Sequence, residues 1–557
     1  MSKDSHAFFT LQKAKTNYFT AILRERDWAK ISVFAGFILI AASLALGTYF
    51  YTKFALLFLK SYPEFTDTLL LYMLLTFFFL IFILTLGSSL ISAIGILFVS
   101  DDDDFLLATP VKNIVIFASR FVNLLAIASW PVLVFGTPFL IAFNQSFNLG
   151  IVNFGLSFFA LLVIVAISAL AATLLAVKFT GFAGQNLKRK YKLLGFISLP
   201  FLAAWTIDIL IPPGLIESFQ KLELYQIRQY LTSIPLSSNL LPSTWAVNFI
   251  INWQTNPSLA LTNYANLLLL MLVLSLLVYF LIKKEYFTNL AKAKVGRFIA
   301  GEHDIVGEEK SVMKFPYFFK GIKGAFLKKD ILVISRNQTE ILQAAFILFL
   351  ILLYFLALAK VPPAHIEKAL PGLSIIYLIR INFAVVSFVL SVFALRFLYP
   401  SISLEGHASW FIWPAPFSKT KIYWQKFVTG WTILSFVAIL ASIASSLILK
   451  LNFALFASQV SILVATSLAL TSINLGLGTL FPDFEEKNAE KISTSKGGIA
   501  ATFASLVFIL SIYLLVFSKA ENISFLTLPN LYTWLVSVII ASLFSHLALK
   551  KINNYSF

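Results

Sequence analysis

Long apolar runs broken by short polar ones organise this chain of 557 residues. A spanning helix needs about 20 mainly apolar residues. Runs that qualify begin near Ile31, Thr68, Phe121, Ile151, Leu193, Leu261, Ile341, Leu373, Phe427, Phe453, Ile499 and Asn530. The pattern predicts an all-α polytopic membrane protein of about twelve transmembrane helices, arranged as two six-helix repeats. The divide is the polar stretch from Lys283 to Gln338, rich in Lys and Gly. The expected organisation is therefore a first transmembrane half (1–283), a basic cytoplasmic linker or interface helix (284–338) and a second transmembrane half (339–557).

The polar gaps alternate in charge. One set carries Arg24, Arg26 and Lys30; Lys112 and Arg120; Lys178 and the cluster from Lys188 to Lys192; the stretch from Lys283 to Arg336; Lys419, Lys421 and Lys426; Lys487, Lys491 and Lys496; Lys550 and Lys551. The other set holds few cations, among them Lys53, Lys60, Lys360 and Lys450. Cations gather in cytoplasmic loops, so both termini are expected on the cytoplasmic side. The segments Phe8–Lys30 and Phe315–Arg336 mix aromatic and basic residues ahead of the first span of each half. Each reads as an amphipathic helix on anionic lipid or, more plainly, as a basic linker. Met1–Lys30 lacks the form of a cleavable signal peptide.

Two polar segments echo each other. The first runs Asp101-Asp102-Asp103-Asp104-Phe105-Leu106-Leu107-Ala108-Thr109-Pro110-Val111, and the second runs from Glu405 through Trp410, Phe411, Trp413 and Pro416 to Phe417. The offset that maps Pro110 on Pro416 also maps Phe105 on Phe411, Arg120 on Lys426, Phe121 on Phe427 and Val122 on Val428. The aspartates suit the start of a short helix, Phe105 and Leu106 its apolar face, and Pro110 its end. Exposed aromatic faces suit docking into a partner protein; ordinary loops tucked against neighbouring helices are the plain alternative. Duplication at the same place in both halves favours docking.

Composition narrows the function. The chain is 59% hydrophobic and 12% charged, against roughly 25% charged in soluble domains. Its formal charge of +17 sits mostly in alternate loops, which marks membrane orientation rather than nucleic-acid binding. There is no cysteine, no G-x-x-x-x-G-K-[ST] phosphate loop, no H-E-x-x-H and no G-x-S-x-G. His6, His303, His365, His407 and His546 are scattered, so no catalytic, cofactor or metal residues are expected, and the chain reads as no enzyme. Asp208 and Arg380 fall inside spans near their outer ends. They are expected to reach outer headgroups, with pairing across the halves as the sharper alternative. The outer stretch from Ile211 to Ala260 contains Leu241-Pro242-Ser243-Thr244-Trp245, read as an interfacial anchor that starts a helix, with a role as an external gate the lesser alternative.

Together these residues resemble bacterial ABC-transporter permeases of the type-2 exporter class, especially the large single-chain exporter group. The likeness rests on Ser100–Val111 leading to Arg120, Ser403–Gly406 and Pro414–Pro416 leading to Lys426, Lys329-Asp330 before Ser335–Gln338, and Leu241–Trp245. Four consecutive aspartates depart from the alternation of acidic and apolar residues in that group. The resemblance implies an exporter permease in the bacterial cytoplasmic membrane, with two separate ATP-binding subunits seated under the docking segments. Apolar spans bearing Ser, Thr and Asn hint at a hydrophobic or amphipathic cargo. The rivals are an ion-coupled secondary transporter of twelve spans, which should carry carboxylates at mid-membrane, and a membrane scaffold that moves no cargo.

Overall fold

In the computed structural model, the described residues are 9, 10, 13, 28–60, 66–98, 106, 108–183, 189–211, 241–290, 329, 338–360, 375–408, 418–486, 489–517 and 528–553. They are 94% helical, with no strand among them. In chain order the helices are α1 (Trp28–Lys60), α2 (Thr66–Phe98), α3 (Asn113–Phe147), α4 (Gly150–Ala183), α5 (Arg189–Leu210), α6 (Pro242–Thr255) and α7 (Pro257–Leu281). They continue with α8 (Gln338–Lys360), α9 (Ile375–Phe393), α10 (Lys419–Leu449), α11 (Phe453–Leu480), α12 (Lys496–Phe517) and α13 (Leu528–Asn553). A long helix occupies each of the twelve expected places. Among the described residues, ten helices are long and apolar enough to cross a membrane. The fold is an all-α polytopic membrane protein. α6 is an extra element, too short to span.

The helices cluster into two compact units. The first takes in the described residues of 39–314 with 341–346; the second takes in 28–38 and the described residues of 315–340 and 347–557. In the first unit α4 is the central helix, packed by α2, α3, α6 and α7. In the second, α11 has that place among α9, α10, α12 and α13. Its buried face carries Thr466, Thr471, Ser472 and Asn474. Most of these return a hydrogen bond to a carbonyl one turn back, as Thr471 does to Ser467, so polar side chains stay satisfied inside the helix bundle.

The repeat read in the sequence reappears in the backbone. α3 and α10 begin at positions related by the Pro110–Pro416 offset, eight residues ahead of their apolar runs. Their N-cap residues, Lys112 and Ser418, share one extended conformation, with φ −60°, ψ 136° and φ −64°, ψ 134°. Both helices end on a left-handed residue, Asn148 (φ 52°) and Lys450 (φ 51°), the two such non-glycine residues among those described. In each, the following leucine amide bonds back into the last turn, Leu149 to Asn144 and Leu451 to Ser446, closing orphan carbonyls before the next helix starts.

Close packing makes Gly478 a stringent position. A Cβ added to Gly478 of α11 would fall on the carbonyl oxygen of Tyr399, a buried backbone atom. Gly155 on α4 has nothing within 4 Å of the same point. Gly478→Ala is expected to cost about 1–3 kcal/mol through overpacking. Gly155→Ala should be neutral or mildly stabilising, since alanine is the better helix former. Thermal unfolding of the detergent-purified chain checks both; equal midpoints for the two variants would count against this packing.

Candidate docking-segment anchors

Each expected docking segment leaves the end of one helix and returns through the start of another. In the first unit it leaves α2, whose last carbonyls have no partner within the helix. Leu97 O accepts from Tyr286 Oη at 2.8 Å and from Arg120 Nη1 at 3.4 Å. Arg120, in the second turn of α3, is only 6% exposed, and its Nη1 also lies 3.3 Å from Tyr286 Oη. Tyr286 is delivered by a π-helical turn, Ile282–Tyr286, that continues α7. Phe98, Phe117 and Phe287 surround its ring edge-on, with centroids 4.7–5.3 Å away. A cation at a helix carboxyl end is favoured by the aligned peptide dipoles, by up to about 2 kcal/mol when partly buried.

The second unit repeats the device with different chemistry. α9 continues through a π-helical turn (Ala394–Leu398) and two 3₁₀ turns (Tyr399–Ser401 and Ser403–Ala408). Lys426 of α10, the counterpart of Arg120, is 5% exposed. Its Nζ donates to Ser401 O at 3.0 Å and pairs with Glu405 Oε1 at 2.8 Å. Lys329 Nζ reaches both oxygens of the same carboxylate. Gly406, immediately after Glu405, has φ 39° and ψ −123°, a left-handed conformation that a side chain would strain. Neighbouring contacts fix the same stretch: Asp483 N–H donates to Ser403 Oγ at 3.1 Å, Tyr399 Oη meets Ser495 Oγ at 3.0 Å, and Ser493 Oγ donates to Leu395 O at 3.1 Å.

The expected site residues divide accordingly. Leu106 is helical and half-buried, Thr109 closes a turn onto its carbonyl, and Pro110 is exposed after the helical residues end. Glu405 is buried and engaged by two lysines, so it shapes the base of its segment rather than presenting a free carboxylate. Asp101, Asp102, Asp103, Asp104, Phe105, Trp410, Phe411, Trp413 and Pro416 lie outside the described residues. Asp208 is exposed near the end of α5, and Arg380 is half-buried in the second turn of α9. Sequence reasoning did not single out Tyr286 and the Lys329–Glu405 contact. Only the Arg120–Lys426 match signalled that the two segment bases are built alike.

The anchor in the second unit makes a test. Breaking a buried ion pair from one side strands the other charge, at about 3–5 kcal/mol, whereas removing both charges costs much less. Lys329 is about a third exposed, so its share of the interaction is screened. Glu405→Gln and Lys426→Met alone should each lower the unfolding midpoint sharply. The double variant should lose less than the sum of the two; additive losses would contradict the anchor.

Across residues 28–549, the chain matches a family model described as "Putative ATP-binding cassette". No curated protein matches the chain.

Proposed function

Because the chain belongs to this family of ATP-binding-cassette proteins, we propose that it is the membrane-spanning permease of an ABC exporter, driven by separate ATP-binding subunits. One observation carries the reading: both segments expected to meet those subunits are fastened at their bases by a buried cation in the same helical register. Arg120 holds the end of α2, and Lys426 holds the turns that follow α9. A push on either segment is thereby delivered to two helices at once, a requirement for rigid-body rocking of packed elements. The sequence contains no phosphate loop, so ATP hydrolysis is assigned to two partner chains, one beneath each segment. The membrane is the bacterial cytoplasmic one, with both termini inside. The cargo is hydrophobic or amphipathic.

The family description by itself would put ATP binding in this chain, so the first test is direct. The purified chain should hydrolyse no ATP, and turnover by the chain alone would overturn the proposal. The second test removes the aromatic face of the second segment. Trp410→Ala with Phe411→Ala should lose co-purification of the ATPase subunit, with about tenfold less retained if these residues are interface hot spots. Membrane insertion should be unchanged. Full retention of the ATPase subunit would count against docking through this segment.

A further inference from the structure

α6 is 14 residues long, about 21 Å, and cannot cross a bilayer core of about 30 Å. It folds back on α7 at Asn256, whose side chain caps the second helix by accepting from Leu259 N–H. The rings of Phe249 and Tyr264 stack at 4.9 Å across this bend, which fixes the two helices as an antiparallel hairpin. Continued at that register, the amino end of α6 lies opposite roughly residue 270 of α7, about 20 Å along a candidate span that runs from Pro257 to Leu290. Pro242, Ser243 and Thr244 are buried there, where an interfacial anchor would leave them in contact with headgroups. α6 packs against α2, α4 and α7.

The first turn of α6 is unusual for a buried helix start. Its N-cap residue Leu241 makes no side-chain cap hydrogen bond, Pro242 brings no amide proton, and the Thr244 and Trp245 amides fold back onto Leu241 O. Ser243 is wholly buried, and its hydroxyl has no hydrogen-bond partner. Helix side chains lean toward the amino end, so this hydroxyl stands at the positive pole of the helix. A buried hydroxyl left unpaired is unfavourable, so this one is available to a partner that brings an acceptor. Half-helices that start within a membrane present their positive ends to anionic groups.

We propose that the start of α6, with the Ser243 hydroxyl, binds the oxyanion of an amphipathic molecule, a carboxylate or a phosphate, within the first half. This deepens the transport reading by naming the cargo class and rests on that reading only for the word cargo. Binding itself is measured without any ATPase subunit, so loss of the permease assignment would leave the result standing.

The test uses the full chain in phosphatidylcholine nanodiscs with photoreactive probes of equal chain length: a fatty acid, a lysophosphatidic acid and a fatty alcohol. Labelling of peptides from 242–271 is quantified by mass spectrometry. At least one acid should label them about fivefold more than the alcohol, the scale of a partly buried helix-end charge effect. Which acid does so assigns the group. Ser243→Asp, which supplies its own carboxylate, should reduce acid labelling to the level of the alcohol. Ser243→Ala should lower it about threefold with no fall in the unfolding midpoint, since that hydroxyl has no protein partner to lose. Equal labelling by acids and alcohol, or acid labelling indifferent to Ser243→Asp, overturns the proposal. Should Ser243→Asp fail to fold, undiminished labelling of Ser243→Ala overturns it instead.

Discussion

A helix that ends inside a membrane protein leaves carbonyl oxygens that lipid tails cannot satisfy. At the two places where this chain leaves a helix for an expected docking segment, a buried cation from the returning helix meets that need. Arg120 closes the end of α2, and Lys426 closes the turns after α9. Each contact ties the residues before its segment to the helix after it. In both helices the cation sits eight residues into the register, at the last position before the apolar run.

The two anchors share position and differ in chemistry. In the first unit the companion is a neutral phenol, Tyr286, enclosed by aromatic rings. In the second it is a carboxylate, Glu405, shared with Lys329 from the stretch that separates the halves. The Lys329–Glu405 contact, with its partly exposed lysine, is screened by salt.

Much of the fold was legible in the chain because apolar runs of spanning length admit few structures. All twelve expected spans correspond to long helices, and the duplicated register was visible in the Arg120–Lys426 and Phe121–Phe427 matches. α6 was harder to see. Most of its apolar residues are buried, yet lipid-facing and protein-facing residues look alike in one sequence, so Pro242–Trp245 read as an anchor at an interface. Tyr286 and Lys329 were hidden for another reason. They meet partners 189 and 76 residues away, Leu97 and Glu405, and no local pattern announces contacts at that distance.

The central claim is that a passive membrane unit receives its drive through two matched segments. The chain has no cysteine, so a single one can report a single contact. Phe105→Cys and Phe411→Cys, each carrying a photo-crosslinker in native membranes, should both capture an ATP-hydrolysing subunit. Capture of none at either position, with the variants inserted and folded, would contradict the account.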